Sequence, residues 1–203
     1  MKLRPAALEC SAYSKVPSMK TKLLEIFRRR HACHLFQADR VLAGDDLNFI
    51  LEAGRLSPSS FGLEPWKFVV LSSQSQKLAL QAACFQQPQV GTASVVIVVL
   101  AKLAEMDPDS EYLRRLIARE YPGDALEAAL KNYRNFHAET DIKAWSEHQC
   151  HIAAANMMTA AAGIDIDSCA IGGFEPQEVQ RILGIDPNNM QPSLILAFGY
   201  CAQ

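Results

Sequence analysis

Ser57-Pro58-Ser59-Ser60-Phe61-Gly62-Leu63-Glu64-Pro65-Trp66-Lys67-Phe68 is the stretch that decides the fold, because an amphipathic helix ends before it and a strand begins within it. Its prolines, glycine and paired serines supply turn geometry, hydroxyl groups and free backbone N–H groups. Polar ligands are often bound by loops that connect a helix to a strand in this way. The same composition is also typical of an ordinary loop, so the surrounding segments must decide between the two interpretations.

The composition excludes several classes of protein. The 203 residues are 49% hydrophobic, which is enough for one sizeable core, and a formal net charge of −2 gives no electrostatic footprint for nucleic acid. The longest apolar run, near residues 93–101, is too short to span a bilayer, and the N-terminus shows no secretory signal pattern. We therefore expect a cytoplasmic protein that binds neither nucleic acid nor membrane.

The cysteines and histidines do not indicate a metal site. Six cysteines are scattered without a Cys-x-x-Cys spacing, which is typical of reduced thiols in a chain of this size. In His148-Gln149-Cys150-His151 two histidines lie three residues apart, as metal ligands on one helix face do. No further ligand pair accompanies them in the sequence, so we expect packing or surface roles for these side chains.

Hydrophobic periodicity predicts one domain over residues 19–203, preceded by a mobile leader over residues 1–18. Predicted helices cover residues 19–30, 45–56, 74–85, 110–118, 125–139, 141–164 and 176–183. Predicted strands cover residues 66–71, 94–100, a segment ending at 171, and residues 193–200. These elements indicate an α+β layered domain. The helix over residues 141–164 is Ala-rich, which suits either a subunit interface or burial at the centre of the domain.

Two further segments give the Ser57 stretch its context. Residues 28–36 read Arg-Arg-Arg-His-Ala-Cys-His-Leu-Phe, and residues 170–175 read Ala-Ile-Gly-Gly-Phe-Glu. With them, the chain resembles the FMN-dependent nitroreductase family over about residues 19–200. The resemblance implies a three-layer sandwich in which helices flank a central, mostly antiparallel sheet, with the long helix at a homodimer interface. It also implies an NAD(P)H-dependent FMN oxidoreductase with its cofactor sites at that interface.

The resemblance places the cofactor phosphate and the pyrimidine edge near the end of the first helix. Arg30 and His31, with Arg28 beside them, match positions at the FMN phosphate and ribityl chain. His34 matches a position from which a cation reaches the flavin pyrimidine. Arginine suits phosphate recognition because it donates several charge-assisted hydrogen bonds. Charged residues that close a helix are also commonly just solvated, so the residue types alone leave both roles open.

The resemblance assigns the remaining flavin contacts to three other segments. The partner subunit would contribute Pro58, Ser59 and Ser60. The isoalloxazine edge would be met by Gln86 and Gln89, whose amides both donate and accept, although a polar turn without a ligand explains them equally well. The backbone near flavin N5 would belong to Ile171, Gly172 and Gly173, where glycine permits close approach and is also a common end to a strand.

The mechanism implied by the resemblance is the transfer of a hydride from NAD(P)H to flavin N5 and then to an electron-poor acceptor such as a nitroaromatic or a quinone. The flavin carries the chemistry, and we expect no obligatory general acid or base among the side chains. His34 is the candidate for electrostatic stabilisation of the reduced flavin, since its imidazole can carry a proton. We therefore expect flavin affinity or reduction rate to decline as the pH rises through the imidazole range.

The chain departs from the family pattern at several of these positions. Gly172 replaces a Glu, Glu64 replaces a Gln, Ala32 replaces a Ser, and His34 and Gln89 stand where cations are common. The family's Lys- or Arg-containing tail, which reaches the phosphate, is also missing after residues 201–203. These departures keep an alternative open, a non-catalytic or specialised flavin-binding homodimer with a weakened phosphate clamp. A Rossmann nucleotide-binding module is disfavoured, because no Gly-x-Gly-x-x-Gly opens a helix after the first strand.

Overall fold

The computed structural model describes residues 18–202. Within that range the chain forms eight α-helices and four β-strands. The helices are α1 (Met19–Arg29), α2 (Gly44–Arg55), α3 (Gln74–Ala83), α4 (Pro88–Thr92), α5 (Glu111–Glu120), α6 (Ala125–Glu139), α7 (Ile142–Gly163) and α8 (Pro176–Leu183). The strands are β1 (Trp66–Leu71), β2 (Val95–Lys102), β3 (Asp167–Ile171) and β4 (Met190–Gly199).

The four strands pair antiparallel in the order β1-β2-β4-β3. The two central strands are almost continuously buried, because helices cover both faces of the sheet. A register shift between Val99 and Leu100 leaves Ser193 of β4 unpaired and sets Pro192 opposite Leu100. A proline is tolerated at such a bulge because the hydrogen-bond ladder is already interrupted there.

Alternate side chains of β2 enter two different cores. Val96 and Val98 lie in the core beneath α3 and α8, whereas Val95 and Ile97 lie in the core beneath α2 and α7. Successive side chains of a strand point to opposite faces, so the one apolar run fills both cores. The sheet therefore lies between two helical layers, and α1 packs on the outside of α7.

A third apolar cluster, formed by α5, α6 and the residues before β1, supports the Ser57 stretch. Leu63 and Tyr133 are fully buried in it, and the Tyr133 hydroxyl donates to the carbonyl of Met106 at 2.7 Å. Burial raises the pKa of the Tyr133 phenol. The ring of Phe61 meets Tyr133 edge to face, with 5.5 Å between centroids. Phe61 thereby anchors the stretch to a rigid aromatic platform.

The α+β three-layer prediction is confirmed, with two corrections to the element bounds. Residues 88–92, which lie between a predicted helix and a predicted strand, form the additional helix α4, because Pro88 fixes the φ angle that a first helical turn needs. The last strand begins at Met190 rather than at Ser193, because pairing with β2 resumes beyond the bulge.

The predicted leader lies outside the described residues except for Ser18. The Ser18 hydroxyl accepts a hydrogen bond from the backbone of Thr21 and caps the N-terminus of α1. The division into a leader over residues 1–18 and one domain over residues 19–203 stays a prediction. In the range that the structure covers, no helix combines the length and the apolar character that a bilayer crossing requires.

Candidate functional site

Three segments that are distant in sequence meet beside β3, and we call them the glycine corner: residues 30–37, 85–89 and 171–173. The backbone N–H of Cys33 donates to the carbonyl of Ser168 in β3 at 3.1 Å. The N–H of Phe36 donates to the hydroxyl of Thr92, at the end of α4, at 3.2 Å. The side-chain amide of Gln87 donates to the carbonyl of Gly173 at 2.8 Å. The glycine corner is thus closed by direct hydrogen bonds.

The end of the described chain also holds this corner. Gln37 donates from its backbone to the carbonyl of Tyr200, and Ala202 donates from its backbone to the carbonyl of Leu35, both at 2.8 Å. The segment over residues 30–37 is therefore fixed between β3 on one side and the residues after β4 on the other. A segment tied down in this way presents its exposed side chains from a rigid base.

Four predicted cofactor residues, Arg28, Arg30, His31 and His34, lie exposed on or next to this segment. The structure assigns a different role to Arg29, which donates to the carbonyl of Ala162 at 2.8 Å and lies 3.3 Å from Asp165 and 3.7 Å from Asp167. Arg29 therefore docks α1 on the end of α7. Within residues 18–202, Arg28 and Arg30 form no such ion pair, so their charges face solvent.

The turn after β3 offers unused backbone donors. Among the described residues, the N–H groups of Gly172 and Gly173 form no hydrogen bond, whereas Ile171 still pairs with Ile195 in the sheet. A Cβ atom on Gly172 would meet nothing within 4 Å. Buried or ligand-covered N–H groups need acceptors, so this turn is suited to a planar ligand with acceptor atoms along its edge.

The two predicted glutamines do not share one environment. Gln86 is exposed and has a positive φ of 59°, next to Phe85 at 53°. Gln89 is only 5% exposed, and its amide donates to the Oε1 atom of Gln87 at 2.9 Å. It is Gln87, which the sequence did not single out, whose side chain reaches the Gly173 turn.

The remaining predicted residues, Pro58, Ser59 and Ser60, belong to a second site that we call the serine corner, residues 57–64. Its polar groups are largely satisfied within the chain. Ser59 accepts a hydrogen bond from the backbone of Glu64, and the backbone of Ser60 donates to Gln149 of α7, both at 2.9 Å. Ser57 accepts from Asn156 of α7 at 2.9 Å.

The serine corner is also conformationally unusual. Phe61, Gly62 and Glu64 have φ values of 58°, 66° and 46°, in the left-handed region that most residues avoid. Arg119 of α5 bridges the turn by donating to the carbonyl of Gly62 at 3.1 Å and to the carboxylate of Glu64 at 2.9 Å. Such backbone conformations persist where surrounding contacts over-determine them, and they concentrate at ligand-binding segments.

The two corners lie at opposite edges of the sheet. The serine corner leads into β1, and the glycine corner flanks β3, so the two edges are three strand spacings, about 14 Å, apart. In the part of the chain that the structure describes, no hydrogen bond or ion pair joins the two corners. One copy of the chain therefore does not bring Pro58, Ser59 and Ser60 to its own Gly172.

A cavity of about 250 Å³ opens beside the serine corner. It lies between α5 and α6, its walls are mostly apolar, and Tyr121 and Asn132 are its polar side chains. Its lining residues are Phe61, Ile117, Tyr121, Ala125, Ala128, Ala129 and Asn132. Such a cavity accommodates an apolar ring.

The thiols beneath the glycine corner are not nucleophiles at neutral pH. Burial raises the pKa of Cys84 to about 11 and, together with a hydrogen bond to the Cys201 thiol, raises the pKa of Cys33 to about 12. Both thiols are fully buried and therefore protonated. Within residues 18–202, no three His, Cys, Asp or Glu side chains lie close enough together to hold a metal ion.

One face of the molecule carries an unusual number of exposed apolar side chains. They lie on α1, on α2 and at the residue after α2, and Leu23, Phe49 and Leu56 line a groove of about 490 Å³ that runs along α7. The exposed residues are Met19, Leu23, Leu24, Phe27, Phe49 and Leu56. Contiguous apolar patches of this kind mark interaction surfaces.

Comparison with protein families gives a match over nearly the whole chain. The model of the nitroreductase family matches residues 27–200. A Staphylococcus haemolyticus protein provisionally named NAD(P)H nitroreductase is 36% identical, over 90% of this chain and 90% of its own. The Bacillus subtilis protein YfkO, with the same provisional name, is 35% identical at the same coverage of both chains.

Solved structures share the fold. A nitroreductase-like protein from Streptococcus mutans superposes with a TM-score of 0.81 at 24% identity, covering 92% of this chain and 91% of the other. A provisionally named nitroreductase from Exiguobacterium sibiricum, solved in complex with FMN, superposes with a TM-score of 0.77 at 23% identity, covering 89% of each chain. At these identities the likeness concerns the fold.

Proposed function

Because the chain belongs to the nitroreductase family, we propose that it is an FMN-dependent oxidoreductase that takes a hydride from NAD(P)H and passes it to an electron-poor acceptor such as a nitroaromatic or a quinone. The observation that carries the proposal is the glycine corner, where the unpaired N–H groups of Gly172 and Gly173 lie beside a segment with exposed cations. The Exiguobacterium neighbour, solved in complex with FMN, supports the choice of cofactor.

The residues present fit FMN. Arg28 and Arg30 would hold the phosphate, since both guanidinium groups are exposed and unpaired in the described range. Gly172 and Gly173 would donate to acceptor atoms of the ring, and the space above Gly172 lets a planar ring approach the backbone. When bound, FMN supplies the hydride-accepting and hydride-donating chemistry.

The chain's own contribution is binding, orientation and charge. His34 is exposed on the same segment as Arg30, where a protonated imidazole would stabilise negative charge on a reduced ring. The exposed amide of Gln86 would meet the ring edge. The apolar cavity beside Phe61 would receive the ring of an acceptor and keep water from it.

The proposed site is completed by a second copy of the chain. Pro58, Ser59 and Ser60 lie at the opposite sheet edge from Gly172, so they reach a shared flavin only from a partner subunit. The apolar face of α1 and α2 along α7 would form the homodimer interface, which agrees with the prediction for the long helix. Sedimentation of the FMN-loaded protein tests this, and a monomer that binds FMN stoichiometrically contradicts it.

A second candidate function is a specialised flavin-binding homodimer with little turnover. Two observations favour it. The Arg29 guanidinium is paired with Asp165 and Asp167, and the Gln89 side-chain amide is hydrogen-bonded to Gln87. Fewer groups therefore remain to stabilise the phosphate and the reduced ring. This candidate predicts that FMN binds but that NAD(P)H does not bleach it.

The experiment is anaerobic titration of the FMN-loaded protein with NADH and NADPH, followed by flavin absorbance. Bleaching followed by reoxidation with a quinone supports the oxidoreductase, and FMN binding without bleaching supports the second candidate. Arg30→Ala should weaken FMN binding by about tenfold to a hundredfold, because a charge-assisted hydrogen bond contributes about 1.5–3 kcal/mol. Lys131→Ala, an exposed cation on α6, is the matched control. An unchanged dissociation constant for Arg30→Ala removes Arg30 from the phosphate site.

The role of His34 has its own measurement. Flavin reduction should slow as the pH rises through the imidazole range, because the protonated side chain is the form that would stabilise negative charge on the reduced ring. The variant His34→Gln, whose side chain does not titrate, should lose this pH dependence. A parent profile that is flat across that range excludes His34 from charge stabilisation.

A further inference from the structure

We infer that Gln87 is a positioning residue of the flavin site and that Gln89 acts through it. The inference rests on the proposed FMN-binding function. Gln87 Nε2 donates to the Gly173 carbonyl oxygen at 2.8 Å, and Gln87 Oε1 accepts from Gln89 Nε2 at 2.9 Å. Two side-chain amides thus form one directed chain of hydrogen bonds that ends on the turn after β3. Hydrogen bonds linked in series strengthen one another.

The Gly172–Gly173 turn needs such a restraint. Two consecutive glycines have more backbone freedom than any other pair of residues, and sheet pairing stops at Ile171. Beyond that point the next backbone hydrogen bond to the body of the protein is from Glu175 to the carbonyl of Ala83, at 2.9 Å. The Gln87 amide therefore holds the peptide group between Gly173 and Phe174, at a point between these two anchors.

Neighbouring residues on both sides of Gln87 fix the orientation of its side chain. The left-handed residues Phe85 and Gln86 turn the backbone after α3, and the N–H of Gln87 donates to the carbonyl of Cys84 at 3.1 Å. Gln89 then fixes the orientation of the Gln87 amide. Because Gln89 is 5% exposed, its amide would lose hydrogen bonding on burial without this partner. An amide fixed at both ends loses little entropy when a ligand binds beside it.

The consequence concerns the flavin, which the glutamine chain does not have to touch. Sheet pairing fixes Ile171 and the Gln87 amide holds the Gly173 carbonyl, so the two peptide groups between them, which carry the N–H groups of Gly172 and Gly173, are restrained from both sides before the cofactor arrives. Some flavin ring nitrogens accept a hydrogen bond only when the flavin is oxidised. A backbone N–H group that donates to such a nitrogen therefore stabilises the oxidised flavin relative to the reduced flavin. Gln87 should therefore influence both the FMN affinity and the midpoint potential of the bound flavin.

The test compares Gln87→Met, Gln89→Met and the double variant with the parent protein. Methionine keeps the length of glutamine but forms no strong hydrogen bond. Gln177→Met, an exposed glutamine on α8, is the matched control. The measurements are the FMN dissociation constant, the midpoint potential of the bound flavin, and backbone order parameters of protein labelled with ¹⁵N-glycine. The melting temperature confirms that each variant folds.

For Gln87→Met we expect FMN to bind about fivefold to tenfold more weakly. The midpoint potential should rise by about 20–30 mV, which is that factor converted for a two-electron couple. In the flavin-free protein, the order parameter of Gly173 should fall from about 0.85 towards 0.6. Gln89→Met should have a smaller effect that disappears in the Gln87→Met background, because Gln89 acts only through Gln87.

The outcomes separate this inference from the proposed function. If the parent protein binds no FMN, the proposed function fails, and a loss of Gly173 order in Gln87→Met still supports the positioning role. If the parent binds FMN and Gln87→Met matches Gln177→Met in affinity, potential and Gly173 order, the positioning role is overturned. Additive effects of Gln87→Met and Gln89→Met overturn the link between the two amides.

Discussion

The glycine corner and the serine corner use their polar groups in opposite ways. At the glycine corner the N–H groups of Gly172 and Gly173 and the guanidinium groups of Arg28 and Arg30 remain available within the described chain. At the serine corner the Ser57 and Ser59 hydroxyls and several backbone groups are already hydrogen-bonded, within the turn or to α5 and α7. The difference supports the proposal that the glycine corner binds the cofactor, whereas the serine corner presents a rigid surface.

Both corners contain residues with positive φ. The serine corner has three residues with positive φ, and contacts from Arg119 and Gln149 hold them in place. The glycine corner has two, Phe85 and Gln86, on the turn that aims the glutamine chain. Each corner therefore maintains an unfavourable backbone conformation through hydrogen bonds from a neighbouring element.

The largest effect should come from raising the pH, because buried thiols lie beneath both corners. Burial raises the pKa of Cys150, which lies under Pro65 directly after the serine corner, from its ordinary value near 9 to about 12, and that of Cys84, under the glycine corner, to about 11. The folded state therefore favours the protonated thiol. This stabilisation is fully present below pH 9 and is lost as the pH rises towards the folded-state pKa.

Urea unfolding between pH 7 and pH 11 measures that loss. Each thiol should lower the free energy of unfolding by up to about 1.4 kcal/mol per pH unit above pH 9. Cys150→Ala and Cys84→Ala should each show a shallower alkaline slope than the parent protein. If both variants keep the parent slope, neither thiol causes the loss of stability at alkaline pH.

Replacing one glycine in each corner with alanine should have an intermediate effect, and the change in stability should differ between the two corners. Gly62→Ala should cost about 1–2 kcal/mol of stability, because Gly62 has a φ of 66°, which is unfavourable for an L-residue with a Cβ atom. Gly172→Ala should change stability by less than about 0.5 kcal/mol, because no atom lies within 4 Å of the added methyl group.

Flavin binding should give the reverse order for the same two variants. The methyl group of Gly172→Ala occupies the space into which the flavin ring is proposed to enter, so FMN affinity should fall although stability is kept. Thermal unfolding and FMN titration of both variants provide the measurement. A Gly172→Ala variant that binds FMN as the parent does contradicts the assignment of the glycine corner as the binding surface.

The smallest effect should come from Arg119, which bridges Gly62 and Glu64 at the protein surface. Arg119→Gln should destabilise the protein by about 0.5 kcal/mol at low salt, because half-exposed ion pairs contribute little. The effect should shrink at 1 M salt. Arg114→Gln is the matched control, since its pair with Glu127 is more exposed. Equal effects from the two variants would show that Arg119 does not hold the serine corner.

The sequence predicted most elements because local patterns decided them. The strand Trp66–Leu71 and the helices Ala125–Glu139 and Pro176–Leu183 match their predicted bounds, since apolar periodicity and turn residues mark both ends. The bulge that extends β4 to Met190 was not predictable, because pairing with β2 maintains it against the local preference of Pro192.

Some features of the candidate site were likewise predictable from the sequence, and others were not. The exposed positions of Arg28, Arg30, His31 and His34 follow from a helix that ends in cations. The roles of Gln87 and Arg29 follow from contacts to Gly173 and to the end of α7, which lie more than 80 positions away in the chain, and Gln89 donates to Gln87. No local signal distinguishes Gln87 from Gln86 or Gln89.

The sequence by itself determined the α+β class and the serine-rich turn before β1, and its resemblance to the nitroreductase family indicated the three segments that form the glycine corner. These depend on residue types and spacings that act over a few positions. Only the tertiary structure decided which amide is exposed, which arginine is spent on an internal ion pair, and that the two corners lie at opposite sheet edges. Burial and hydrogen-bond partners depend on the order in which strands pair, and that order is set by packing across the whole chain.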